Sequence, residues 1–461
     1  MHNLRPLILT TLTVALPVWA AEPMPTPEEL WRIVQQQQKE IQALKAKLAV
    51  KEQSETKAPI GEAKPSEETG EVEELKRKTS ILAQELEKLR TQLVIPEEPK
   101  YKSMYGLGPA ASKVYQVARG LSLGGYGEGH YKVFTGDQQG SKDSADFVRL
   151  VLYTGYRFSD AILFNSELEF EHASTGKSGE VSVEFAALDF FLDPKFNLRA
   201  GMVLVPMGFL NPIHEPPFYF GNNRPEVERR ILPTTWREMG VGAFGELFPG
   251  LTYTTYGING LRASKFSPEG IRGGRQSASQ VKAEDLAWVG RLDYAVPFAV
   301  GLSLGGSAYL GNSGQGEIRG TDVFTQIYEG HLQWHYRGLE FRTLGAWSRI
   351  DDAAKVSRAV KKTIGEEQFG WYTELGYNVL PWLLPDSTQY LAPFFRYERW
   401  DTQAEVAKGF RKNANLARRL WQFGVNYKPI PNVVIKADYR NFDADEGDLA
   451  DEFNLGLGFI F

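Results

Sequence analysis

Residues 162–172 read ILFNSELEFEH. Glu167, Glu169 and Glu171 fall at alternate positions, opposite Phe164, Leu168 and Phe170. Side chains alternate faces along a strand, so this is a strand with carboxylates on one face and an apolar surface on the other. A soluble sheet would turn its charge to water and its apolar face to a core. A membrane barrel would turn its apolar face to lipid and its charge to the lumen. One strand does not separate the two.

The pattern recurs along the chain. In NVVIKADYRNF (432–442), Lys436, Asp438 and Arg440 oppose Val433, Ile435, Ala437 and Tyr439. In NLARRLWQFGVNY (415–427), Trp421, Phe423, Val425 and Tyr427 oppose Gln422, Gly424 and Asn426. In DEFNLGLGFIF (451–461), Phe453, Leu455, Leu457, Phe459 and Phe461 form one wholly apolar face. About sixteen such segments run from 121–134 through 391–400 to 452–461, an even number.

The connections decide between the solvents. After even-numbered segments they are mostly short, as in FSD, DPKF, FPG, PFAV, YRG and KPIPN, with LPWLLPDSTQ longer. After odd-numbered segments they are long and polar, from GDQQGSKDSAD to DADEGDLAD. Alternating short and long connections are the mark of an outer-membrane barrel with periplasmic turns and extracellular loops. In lipid every backbone group must be paired, so the last strand is expected to close onto the first. The expected fold is an all-β transmembrane barrel of about sixteen antiparallel strands over 121–461, preceded by an α-helical coiled coil.

Composition agrees. The 461 residues include 45 Gly, 27 Phe, 20 Tyr and 10 Trp, which suits strands with aromatic anchors. A net charge of −5 gives no polybasic footprint for nucleic acid. The lack of cysteine excludes disulfides, thiolate metal sites and cysteine nucleophiles. Residues 1–20, MHNLRPLILTTLTVALPVWA, read as a cleavable signal peptide. Residues 21–55 and 71–95 carry heptad-like seams, such as Val72, Leu75, Thr79, Leu82, Leu86, Leu89 and Leu93. They read as two coiled-coil segments around a flexible linker at 56–70, with dimer and trimer both open. A connector at 96–120 leads to the barrel.

Between the fifth and sixth strands lies PMGFLNPIHEPPFYFGNNRPEVERRILPTTW (206–236), rich in proline and aromatics. Loops of this length are usually functional. It is expected to fold inward, with His214, Glu215, Arg224, Glu226, Glu228, Arg229 and Arg230 at a constriction or pinning the loop to the wall. Strand parity assigns Arg149, Glu167, Glu169, Glu171, Arg199, Arg291, Arg396, Glu398, Lys436, Asp438 and Arg440 to a wet lumen. Charge of both signs predicts no strong selectivity, with a mild anion preference through Arg224, Arg229 and Arg230.

No enzyme is expected. His331 and His335 in HLQWH invite a zinc reading, but Leu332 stands where a metalloprotease needs Glu. On a strand they lie ~13 Å apart, too far to share an ion. No metal or cofactor is implied.

The arrangement resembles the phosphate-selective porin O/P-type superfamily, including members with a coiled coil. The likeness spans the start, coil and barrel, with GLSLGGYGEGHY (120–131) opening the first strand and LPTTWREMGVGAFGELFPGL (232–251) in the middle. It implies sixteen strands, a homotrimer and an inward-folded third loop. Phe461, with Phe459 and Leu457 at alternate positions, is similar to the terminal signal read by the barrel-assembly machinery. The expected function is passive diffusion of small hydrophilic solutes through the outer membrane, with the coil in the periplasm. The alternative is a structural barrel, acting as a sleeve for a partner or as a periplasmic tether.

Overall fold

The computed structural model describes residues 102–135, 141–176 and 178–461. The expected signal peptide (1–20), coiled-coil segments (21–55 and 71–95) and linker (56–70) lie outside the described residues.

Sixteen strands form one closed antiparallel barrel in which each strand pairs with its sequence neighbours and β1 pairs with β16. They are β1 (Gly120–Thr135), β2 (Ser144–Arg157), β3 (Ile162–Glu171), β4 (Val181–Asp193), β5 (Phe196–Leu204), β6 (Arg237–Phe248), β7 (Leu251–Asn259) and β8 (Leu286–Ala295). The second half comprises β9 (Leu302–Asn312), β10 (Phe324–Tyr336), β11 (Leu339–Ile350), β12 (Gly365–Tyr377), β13 (Tyr390–Val406), β14 (Ala417–Ile430), β15 (Val433–Ala444) and β16 (Asp451–Ile460). The closing register runs from Tyr126 opposite Ile460 to Thr135 opposite Asp451.

The alternation read from sequence sets the two faces. Leu152, Tyr156, Phe170, Leu188, Val241, Trp288, Trp371, Trp421 and Leu455 are exposed on the outside. Their neighbours in sequence point inward. On β10–β15 an aromatic row of Tyr328, Trp347, Trp371, Tyr397, Trp421 and Tyr439 borders the long-loop end, its rings in mutual contact at several points. Aromatic girdles of this kind are enriched at membrane–water boundaries.

Two expectations need correction. The segment 391–400 stops six residues short of the end of β13. Asp401, Thr402 and Gln403 look like loop residues, yet each is buried and bonded: Asp401 to Lys412 at 2.6 Å, Thr402 to the Pro268 carbonyl at 2.7 Å, and Gln403 to the Thr363 carbonyl at 2.7 Å. Tertiary partners make these polar residues strand-competent. The inner face is also far drier than a wet lumen. Glu167, Arg396 and Glu398 are wholly inaccessible because chain folds back inside the barrel. Val205, Met207, Ile231, Leu232 and Trp236 of the connection at 205–236 build an apolar core with inward Tyr256, Val289, Tyr309, Ile327, Tyr372 and Trp400.

Candidate functional site

The β5–β6 connection is pinned at its root by its own asparagine. Asn211 donates to the carbonyls of Val205 (2.6 Å) and Trp236 (2.8 Å) and accepts from the Trp236 amide (2.5 Å). This closes the two ends of the loop and projects the rest across the lumen. Its tip then bonds to strands on the far side. Tyr219 donates to Glu128 on β1 at 2.5 Å, and Lys436 on β15 donates to the Gly221 carbonyl at 2.8 Å. Asn222 donates to Asp438 at 2.6 Å, Arg396 donates to the Phe220 carbonyl at 2.8 Å, and the Phe220 ring stacks on Phe394 at 5.0 Å.

A short helix, α1 (Glu226–Arg230), carries most of the loop's charge. Glu226 receives Arg440 at 3.0 Å as well as Arg229 (3.0 Å) and Arg230 (3.1 Å). Burial opposes its ionisation, but these three guanidinium groups hold its carboxyl well below the usual range. Glu228 accepts from the Leu210 amide and the Tyr372 hydroxyl, both at 2.7 Å, and burial pushes its carboxyl up. His214 faces Glu167 on β3 at 3.1 Å. Glu215 accepts from the amides of Ala110 and Ala111, and burial pushes its carboxyl up to about 7. Of the seven loop residues named from sequence, these six bind the loop to itself, to the wall or to the segment before β1, and the seventh, Arg224, is held within the loop by Thr235.

Arg224 differs. One of its nitrogens donates to Thr235 at 2.5 Å, while Nε and Nη2 are buried without a hydrogen-bond partner. Its guanidinium lies within electrostatic reach of Glu128 and Glu169. Those two carboxylates flank Arg149 at 2.9 and 2.8 Å, and on the same wall Arg237 meets Glu184 at 2.6 Å. Charges of both signs therefore line β1, β2, β3, β4 and β6, with the two acids Glu169 and Glu184 adjacent on β3 and β4.

Sequence reading missed two further arginines. The β7–β8 connection at 260–285 also folds inward, and its GIRGGR run brings Arg272 and Arg275 beside the β5–β6 connection. Arg275 donates to the carbonyls of Pro233 (3.2 Å) and Thr235. Burial, reinforced by Arg275, Arg229, Arg224 and Arg230, pushes the Arg272 guanidinium down to about 9. Burial brings Arg275 down to about 10, with Arg237 and Arg224 adding repulsion against the pull of Glu184 and Glu238. Among the described residues none of Arg224, Arg272 and Arg275 forms an ion pair. The available signal was two glycine-flanked arginines in the second-longest loop, but nothing in one dimension told which way that loop folds.

The remaining inner-face residues are paired. Arg199 holds Asp189 at 2.6 Å, Arg291 holds Asp293 at 2.6 Å, and Arg396 holds Glu374 at 2.7 Å with Glu398 at 3.8 Å. Lys436 sits 3.6 Å above the Tyr219 ring, Asp438 accepts from Gln422 and Asn454, and Arg440 bridges Glu226 and Glu452. Glu171 lies opposite Arg149 in the β2–β3 register and is half-buried. His331 is held between Asp293 and Glu329, both at 2.9 Å, while His335 lies 3.9 Å from Glu340. Leu457 and Phe461 are exposed on the outer face, with the Phe459 and Phe461 rings lying over Gly127 and Gly125 of β1.

An uncharacterized protein of Aquifex aeolicus (strain VF5) is 37% identical over 390 residues, covering 81% of this chain and 87% of the relative. The chain belongs to that protein's family. No family model matches it. Among solved structures, OmpF of Salmonella typhi, in complex with daunomycin, superposes with a TM-score of 0.51 at 13% identity, over 75% of this chain and 98% of that one. An anion-selective porin from Comamonas acidovorans gives a TM-score of 0.48 at 11% identity, over 74% and 99%. At such identity the likeness to OmpF concerns the fold. This chain shares the barrel fold of OmpF.

Proposed function

We propose that this protein is an outer-membrane porin through which small hydrophilic solutes diffuse passively, with 206–236 as its constriction loop and a preference for anions. The observation that carries the reading is the set of three arginines without carboxylate partners, Arg224, Arg272 and Arg275, on two inward-folded loops. They face a wall that carries more acid than base, so a solute passing between them meets a transverse field with positive charge on the loop side. Arg229 and Arg230 contribute less than sequence suggests, because both lean on Glu226.

In this reading the short turns face the periplasm and the long loops face outward. Residues 1–20 are the export signal, the coil at 21–55 and 71–95 lies in the periplasm and supports a homotrimer, and Phe461, Phe459 and Leu457 form the assembly signal. The likeness to the phosphate-selective porin O/P-type superfamily belongs to the same proposal, as does the absence of catalysis. A structural barrel is the second reading, favoured by the dryness of the inner face.

The test is single-channel conductance in a planar bilayer, with reversal potential under a KCl gradient. Open steps with an anion-positive reversal potential are expected. The triple variant Arg224→Gln, Arg272→Gln, Arg275→Gln should bring chloride-over-potassium selectivity to unity or below. A folded barrel that conducts nothing would reject the diffusion reading and leave the structural barrel.

A further inference from the structure

The chain just before β1 does not lead away from the barrel. Residues 104–117 turn into the lumen at the short-turn end, where Ala111–Gln116 form a 3-10 turn. Leu107, Ala110, Ala111, Val114 and Tyr115 are buried against inward Tyr126, Val151, Tyr153, Leu163, Phe185 and Ile460. The wall is shaped to receive them. A Cβ on Gly155 would collide with Val114, and one on Gly124 would come within 2.9 Å of the Ala110 carbonyl.

Polar contacts fix the segment from two sides. From the wall, Asn165 donates to the Ala111 carbonyl at 2.9 Å, and Arg157 to the Tyr115 carbonyl at 3.4 Å. The Tyr115 hydroxyl donates to Asp189 at 2.7 Å and accepts from Arg199 at 3.0 Å. From the constriction loop, Glu215, which is only 1% exposed, accepts from the amides of Ala110 (2.9 Å) and Ala111 (3.2 Å). These amides open a helical turn and have no intrahelical acceptor, so a carboxylate is a strong partner for them. Across the lumen at the same end, the His335 and Glu340 side chains keep 43% and 27% of their surface. The segment therefore narrows the lumen from one wall and leaves the other accessible.

We infer that residues 104–117 are a second constriction element, placed between the 206–236 loop and the short-turn mouth, which sets the upper size of the solute. Glu215 is the positioning residue that joins the two constrictions. The inference rests on the porin reading.

The chain has no cysteine, which allows a clean test. Gln116, exposed on this segment, is changed to Cys in the full-length protein and labelled with thiol reagents of increasing bulk. Single-channel conductance and polyethylene glycol exclusion are then measured, alongside a variant lacking 104–116 whose folding is checked by heat-modifiable gel migration. Labelled Gln116→Cys should lose conductance in proportion to reagent size, by at least a third for the largest. The deletion should raise conductance at least twofold and admit larger polymers. Conductance through the wild type only slightly changed by both manipulations would overturn the inference and leave the porin reading standing. A silent wild type with a conducting deletion variant would support it, the segment then sealing the lumen fully. Silence from every variant would remove the porin reading and this inference together.

Discussion

Arg396 has no accessible side-chain surface, yet it carries a full charge through its contacts with Glu374, Glu398, Gln422 and the Phe220 carbonyl. Taking it away would strand two buried carboxylates and free the loop tip. Arg396→Ala should therefore destabilise the barrel by roughly 3–5 kcal/mol, read from urea unfolding in detergent micelles, and should loosen the loop as well. Glu215 makes a different prediction because it titrates. Its carboxyl is pushed from an ordinary value near 4.5 to about 7, chiefly by burial. A carboxyl raised on folding contributes stability that is fully present below the unfolded value and is lost as pH rises through the folded one. Wild-type stability should thus fall between about pH 4.5 and pH 7 by a contribution on the order of 3 kcal/mol at most. Glu215→Gln should flatten that part of the profile, and identical slopes for the two proteins would refute the assignment. Glu226 has the opposite sign: its depressed carboxyl loses stability only below the usual carboxylate range, so the two effects occupy separate pH windows.

Among the elements, the β1–β16 seam closes the barrel and is tightly packed at its glycines. The Phe459 ring lies over Gly127, where an added Cβ would approach it to 2.6 Å, so Gly127→Val should slow or prevent closure. A drop in the heat-modifiable fraction on a gel would record this, and an unchanged fraction would show that the ring can move aside. Strands were also the most legible elements in the sequence. Period-two alternation survives in every solvent, and the choice of membrane over water came from loop lengths, so the sixteen strands could be read with most ends within a few residues. What could not be read was where polar loop residues go. Asp401–Gln403 extend β13 because Lys412, Pro268 and Thr363 come to meet them. Arg272 and Arg275 join the site because a neighbouring loop turns in rather than out. Both outcomes depend on contacts between residues distant in sequence, which periodicity does not record.

For the whole molecule, the apolar exterior and the packed interior divide the labour. Outside, exposed leucines and aromatics make a surface that suits lipid. Inside, ion pairs and an apolar cluster hold two loops and the segment before β1 in place. The barrel and the segment before β1 belong to one compact unit, Glu97–Phe461. A chain of residues 97–461 should therefore still fold to a heat-modifiable barrel. If the coil holds a trimer together, native mass spectrometry of this shortened chain should show the subunit mass, while the longer chain shows three times its own. Equal assembly of both would place the association on the barrel wall instead.

The 205–236 loop has one more consequence. It is rooted between β5 and β6 and is fastened to β1, β12, β13 and β15 across the lumen, so it spans the ring as a tie-rod spans an arch. A hollow cylinder under lateral pressure fails first by flattening into an ellipse, and a strut across its bore resists that mode more effectively than any thickening of the wall. The loop proposed to narrow the passage is thus also the part that keeps the barrel round.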